Sequence, residues 1–299
     1  MSGDEGYIAS HDGTRLYYQR LGNGADTVVS PAASFLNPDL ESLAAGRTVI
    51  FYDTRNRGRS QQVTDADAMT MAEEVRDLEA VRQHFALTQF KLLGWSYLGA
   101  VTALYAAGNP AMIERLLLIG PMKPRRFRYP DEDDAKIRAR VDPQGVQRLE
   151  ELHQAGMEAQ DPAAYCRAWQ QTYLPRQMGK PEAIGRMRSD PCALPNEWGS
   201  NVTWTFQQLG RSWGDWDWRS TLARLQVPTL IIHGAEDAIP RASSREWAAT
   251  LGNARLLVLP HVGHFPWAEE PSAFFPPVEQ FLAGQWPDAA VLVAAEELR

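Results

Sequence analysis

Gly94-Trp95-Ser96-Tyr97-Leu98-Gly99 sets a serine between a strand-like apolar run, Phe90 to Leu93, and a stretch of small residues that reads as a helix. A strand that turns sharply into a helix lifts a serine hydroxyl above the sheet edge and aims backbone N–H groups at developing negative charge. So tight a turn needs little bulk two residues before the serine, and Gly94 meets that need. Much later come His233-Gly234-Ala235-Glu236-Asp237 and Gly263-His264-Phe265. A hydroxyl, an imidazole and a carboxylate are the parts of nucleophilic acyl transfer, in which the imidazole takes the serine proton and the carboxylate orients the imidazole. Composition alone leaves rivals, with Glu236 next to Asp237 and His261 close to His264.

The elements that must position these groups follow from hydrophobic patterning. Short apolar runs at Thr48 to Tyr52, Phe90 to Leu93, Leu116 to Ile119, Thr229 to Ile232 and Leu256 to Leu259 read as strands buried on both faces. Helical patterns separate them. The clearest is Met71, Val75, Leu78, Val81 and Phe85, opened by a Thr70-x-x-Glu73 capping box. Alternation of strand and helix predicts an α/β fold with a mostly parallel central sheet flanked by helices. Tyr7 to Ser10 and Thr14 to Leu21, around the turn signal His11-Asp12-Gly13, predict an antiparallel hairpin on its edge, and Thr27 to Ser30 predicts the next strand.

The alternation fails from about Pro121 to Leu222, which reads as a helical lid insertion. The expected organisation is a core of residues 1–122 and 223–299 with a lid of residues 123–222. Six of the ten tryptophans fall in the insertion. Residues Pro287 to Arg299 read as a short helix or a loose tail.

With these elements in place the chain resembles the α/β-hydrolase superfamily, in its proline iminopeptidase-like and lidded serine esterase branch. The resemblance covers nearly the whole chain. It rests on Gly94-x-Ser96, Tyr52-Asp53-x-Arg55-x-x-Gly58-x-Ser60, His233-Gly234-x-x-Asp237 and Gly263-His264-Phe265 before Glu270-Pro271. It implies Ser96 as nucleophile, His264 as base and Asp237 as acid, in the superfamily's chain order. It further implies an oxyanion hole of two N–H groups, one from Tyr97 and one from the loop after Thr27 to Ser30. Where relatives carry His-Gly-Gly-Pro-Gly, this chain has Ser30-Pro31-Ala32-Ala33-Ser34, and Ala32 N–H is the expected donor, ahead of Ala33. A second departure is Leu98 where the usual elbow has glycine, so a leucine must find room between turn and neighbouring strand.

Other classes are disfavoured. A formal net charge of −7 argues against a nucleic-acid partner, which needs clustered Lys and Arg. No run approaches the roughly 18 apolar residues of a membrane span, and Met1 to Ser10 lacks the apolar segment of a secretory signal. Cys166 and Cys192 are too few for a disulfide framework, which fits a reducing cytoplasm. No cofactor is expected, because dinucleotide and phosphate-loop glycine motifs are missing. No metal is expected either, since His11, His84 and His153 lack ligand spacing.

The partner is therefore expected to be a small molecule. Trp95, Trp169 and Trp204 are the candidate pocket residues, which points to an apolar or aromatic ester. Two alternatives stand beside ester hydrolysis. One is proline iminopeptidase chemistry, which needs a lid anion for the substrate ammonium. The resemblance implies a Trp-Glu lid feature for it, which corresponds to Trp169-Gln170 here, and the neutral Gln170 weakens it, although Glu182, Asp190 or Glu197 could substitute. The other is a ligand-binding protein that keeps fold and pocket without chemistry.

Overall fold

The computed structural model describes residues 3–294. Among them the apolar runs form strands of one eight-stranded sheet: β1 (Gly3–Ala9), β2 (Arg15–Leu21), β3 (Thr27–Pro31), β4 (Thr48–Tyr52), β5 (Phe90–Trp95), β6 (Ile113–Ile119), β7 (Thr229–Gly234) and β8 (Ala254–Leu259). Their spatial order is β1-β2-β4-β3-β5-β6-β7-β8. The β1–β2 and β2–β4 pairs are antiparallel and all others parallel, so the expected edge hairpin and parallel centre are both present. The parallel strands end on one edge. Loops leaving β3, β5, β6, β7 and β8 there carry Ala32, Ser96, Gly120, Asp237 and His264.

The helices are α1 (Ala33–Leu40), α2 (Met71–His84), α3 (Tyr97–Gly108), α4 (Asp134–Arg138), α5 (Pro143–Gln154), α6 (Met157–Gln160), α7 (Pro162–Tyr173), α8 (Gly199–Trp213), α9 (Arg219–Leu222), α10 (Arg241–Thr250), α11 (Pro266–Glu269) and α12 (Pro271–Leu282). Successive residues of the strands feed opposite faces of the sheet. Val29, Leu92, Leu116, Leu118 and Ile231 pack with Leu78 of α2, Val101 of α3 and Trp247 of α10. Val28, Leu93, Leu117, Ile119 and Ile232 pack with Leu36 of α1 and Phe274 and Val278 of α12. Half of the expected capping box at α2 forms. Thr70 Oγ1 accepts the Glu73 N–H at 3.2 Å, but the Glu73 side chain turns to His11 and Arg76 instead.

Between β6 and β7 the chain leaves the sheet for α4 to α9 and several 3₁₀ turns. An antiparallel bridge between Arg125 and Asp217 closes the base of this segment. One expectation needs correcting here. Cys166 of α7 and Cys192, in the turn Pro191–Ala193, form a disulfide with their Cα atoms 5.6 Å apart. The two lie 26 residues apart, and only the folding of the segment brings them together, so spacing carries no signal of it. At the other end, Val291 pairs with Leu256 as an antiparallel bridge, so this part of the expected tail docks on the sheet. Residues 295–299 lie outside the described residues. No helix among those described is long and apolar enough to cross a membrane.

Candidate active site

Ser96 caps α3 with φ 58° and ψ −130°, a conformation that a non-glycine residue adopts only when its surroundings enforce it. The enforcement is visible. Ser96 N–H donates to Ile119 O at 3.0 Å, and its carbonyl accepts from Met122 N at 3.0 Å. A Cβ at Gly94 would lie 2.2 Å from Thr102 Oγ1 and 2.7 Å from the Gly99 Cα, so the turn closes only around glycine. It is Gly99, one residue late, that makes the close approach. Leu98 needs no room beside a strand, because its buried side chain borders the cavity in front of Ser96.

His264 Nδ1 and Asp237 Oδ2 are hydrogen-bonded at 2.8 Å, and Asp237 Oδ1 accepts the Ile239 N–H at 2.8 Å. Of the rivals, Glu236 points away into ion pairs with Arg140 and Lys136. His233 braces α10 through Ser244 Oγ at 2.9 Å. The backbone of His264 is held on both sides, its N–H donating to Gln177 O at 2.8 Å and its carbonyl accepting Trp95 Nε1–H at 3.0 Å. Trp95, expected as a pocket residue, therefore also fixes the histidine. Ser96 and His264 border the same cavity, and among the described residues no hydrogen bond joins them.

Two residues that sequence reasoning misses support this pair. Gly120 has φ 45°, and a Cβ there would sit 2.8 Å from Asp237 Oδ2 and 2.9 Å from His264 Nδ1. Gly120→Ala should displace the pair and lower turnover on the order of tenfold, since small misplacements of catalytic groups are costly. Steady-state kinetics on the folded variant would show it, and a wild-type kcat would rule the packing role out. The other residue is Glu269, a buried carboxylate behind the His264 loop.

On the opposite side of Ser96, Ala32 adopts φ 72° and ψ 52° at the start of α1. The Ala32 and Tyr97 N–H groups make no hydrogen bond among the described residues, as expected of first-turn donors. Asp53 holds this loop by accepting the Ser34 N–H at 2.8 Å, together with the Arg59 N–H at 3.0 Å. Burial pushes its carboxyl up to about 6. Arg55 is wholly buried against Asp77, with Asp12 as a further partner, and serves as a structural brace.

The cavity has a volume of about 310 Å³. Phe35 stacks on Trp95 with ring centroids 5.0 Å apart and, with Phe265, forms one wall. Tyr97 and Phe206 form another, and Trp169, Tyr165 and Gln170 of α7 face it from the helical segment. Trp204, expected as a pocket residue, does not line this cavity but an adjoining recess with Glu158 and Gln207, because its position on α8 turns it from the side that carries Phe206. Of the candidate anions, Glu197 reaches the cavity, but Arg57 pairs with it at 2.7 Å.

A family model for the alpha/beta hydrolase fold matches residues 22–271. The chain belongs to this family. By family it is a hydrolase. A proline iminopeptidase from Levilactobacillus brevis is 26% identical over 258 residues, covering 82% of each chain. A non-heme haloperoxidase from Rhodococcus erythropolis is 27% identical over 273 residues, covering 86% of this chain and 92% of that protein. Among solved structures, an esterase from Exiguobacterium antarcticum superposes with a TM-score of 0.68 at 20% identity, covering 93% of this chain and 98% of its own. At that identity the likeness speaks to the fold.

Behind this hydrolase elbow, Tyr97 OH donates to Glu74 Oε1 at 3.3 Å, while Glu74 Oε2 is buried without a partner. Burial, and then the charge of Asp77, push the Glu74 carboxyl up to about 8. Below pH about 4.3 the unfolded and folded chains both bind this proton and the group is neutral in its effect. As pH rises to 8 the unfolded chain ionises first, and wild-type stability falls by up to about 1.4 kcal/mol per pH unit. Glu74→Gln cannot ionise. Its melting temperature should gain on wild type steadily from pH 5 to pH 8, and a constant gap would show that Glu74 is not held protonated.

Proposed function

We propose that this hydrolase cleaves a carboxylic ester of an apolar or aromatic small molecule through an acyl-enzyme at Ser96. The observation that carries the reading is the cavity, mostly apolar and rich in aromatic side chains, onto which Ser96, at its enforced positive φ, and the Asp237-backed His264 both open. Asp237 occupies Nδ1, so Nε2 is the nitrogen free to take the Ser96 proton as Oγ attacks the carbonyl carbon. The carbonyl oxygen becomes negative between the free N–H groups of Ala32 and Tyr97. Collapse expels the alcohol, protonated by His264, and water then releases the acid by the same steps. The helical segment supplies much of the cavity wall and acts as its lid. A cytoplasmic setting would keep Cys166 and Cys192 as thiols, whereas their disulfide favours an oxidising compartment.

Iminopeptidase chemistry has less support. Gln170 is neutral, the Glu197 charge is already met by Arg57, and the Asp53 carboxyl is taken up by the Ser34 and Arg59 N–H groups. The deciding experiment treats purified protein with a fluorophosphonate probe and assays p-nitrophenyl acyl esters beside proline aryl amides. Labelling at Ser96 with ester turnover is the expected result. Amide turnover would favour the peptidase, and folded protein that binds an apolar ligand yet resists the probe would be a binding protein.

A further inference from the structure

One wall of the cavity is charged, and the reaction above makes no use of it. Arg57 comes from the loop after β4 and Glu197 from the 3₁₀ turn Pro195–Glu197, just before α8. Arg57 Nε and Nη2 donate to the two carboxylate oxygens at 3.0 and 2.7 Å, and Gly58 N–H adds a third bond to Oε1 at 2.7 Å. Burial raises the Glu197 pKa, but the Arg57 charge and these bonds outweigh it and hold the carboxyl below its ordinary value. The pair bolts the helical segment to the core.

That structural task occupies one edge of the guanidinium. Nη1, on the other edge, makes no hydrogen bond among the described residues, and Arg57 borders the cavity beside Tyr97 and Phe206. The Phe206 ring centroid lies 5.4 Å from Arg57 Cζ and helps fix the guanidinium plane. An arginine edge so anchored is a preorganised donor, because its ordering cost is already met by the bridge.

Charge decides what it can receive. Glu197 cancels Arg57, burial keeps a proton on Glu74 up to about 8, and Asp53, ionised above about 6, adds only negative charge, so no positive excess is left for an anion. A substrate ammonium would face two carboxylates, Glu197 and Asp53, each already accepting three bonds. A neutral oxygen brings a lone pair without a charge to desolvate.

We propose that Arg57, anchored by Glu197, is a specificity-determining residue that donates Nη1–H to a neutral oxygen acceptor, a ketone, amide or hydroxyl oxygen, on an otherwise apolar substrate. The inference rests on the ester-hydrolase reading and names the substrate class within it.

The test is a set of aryl alkanoates carrying a ketone at successive acyl positions, with a matching set of acetates bearing it in the alcohol chain. At one position the ketone should raise kcat/KM at least tenfold over the plain chain, and a carboxylate or ammonium placed there should lower it. In Arg57→Lys, which keeps the charge but loses the fork, the ketone-to-plain ratio should fall to near one. The same chains as non-hydrolysable amides, titrated calorimetrically into Ser96→Ala, should show the same preference in Kd, free of turnover. Plain esters turned over with no ketone preference at any position would overturn this inference alone, as would a preference that survives in folded Arg57→Lys. No ester turnover together with no probe labelling would instead remove the hydrolase reading and this inference with it.

Discussion

Asp237→Asn should lower kcat on a neutral aryl ester by about 10⁴ while leaving the melting temperature close to wild type, the loss known for the equivalent change in a serine protease. The reason is tautomeric. In the wild type Oδ2 accepts from His264 Nδ1, which leaves the Nε2 lone pair for the Ser96 proton. An asparagine can keep the Ile239 bond through its carbonyl oxygen, so its amide NH₂ would face Nδ1. A donor there forces the proton to Nε2, where it faces Ser96 and blocks proton transfer. The control is Glu236→Gln, whose carboxylate is committed to Lys136 and Arg140 and should change kcat by no more than about twofold. A larger loss in Glu236→Gln than in Asp237→Asn would mean that the acid has been misassigned.

The features of this site that are legible in sequence are those set by local geometry. The elbow is one, because strand, glycine, serine and helix are contiguous and only a small residue fits where Gly94 meets Thr102. Asp237 and His264 are others, since each follows a buried strand and parallel strands must end on one edge. Ala32 is legible only as a departure from the family pattern. Its left-handed backbone is one that alanine rarely adopts, and no local rule predicts it.

What stays hidden depends on pairings distant in sequence. Arg57 reads as one more charge in a loop until the helical segment brings Glu197 to it across 140 positions. Trp204 belongs to an amphipathic helix whose cavity side is set by how α8 docks, and composition cannot choose that side. Gly120 ends a strand like any other glycine. Its purpose shows only once the Asp237–His264 pair lies against it. The helical segment enters the catalytic geometry in the same way, through Gln177 O on the His264 N–H.

Glu269→Gln should cost about 2–4 kcal/mol of stability and lower kcat by about 10². Its side chain is a buried hub. Oε2 accepts the N–H groups of Gly263, Gly179 and Lys180 at 2.9, 2.8 and 2.9 Å, and Oε1 accepts that of Phe265 at 3.1 Å. Gly263 and Phe265 flank His264, while Gly179 and Lys180 follow closely on Gln177, whose carbonyl holds the His264 N–H. One carboxylate thus clamps the histidine loop against the helical segment. Glutamine can present an oxygen to only one side of this hub, so its NH₂ would oppose at least one backbone N–H with no room for water. The loop must shift to relieve that contact, and the imidazole moves with it. Denaturant unfolding gives the stability change, and the rate of fluorophosphonate labelling at a temperature where the variant is folded gives the catalytic one. Both should fall together, whereas Glu270→Gln, which removes a half-buried pairing with Lys180, should alter neither measurably. A folded Glu269→Gln protein that loses stability but labels at the wild-type rate would reduce Glu269 to a brace of the fold without influence on His264.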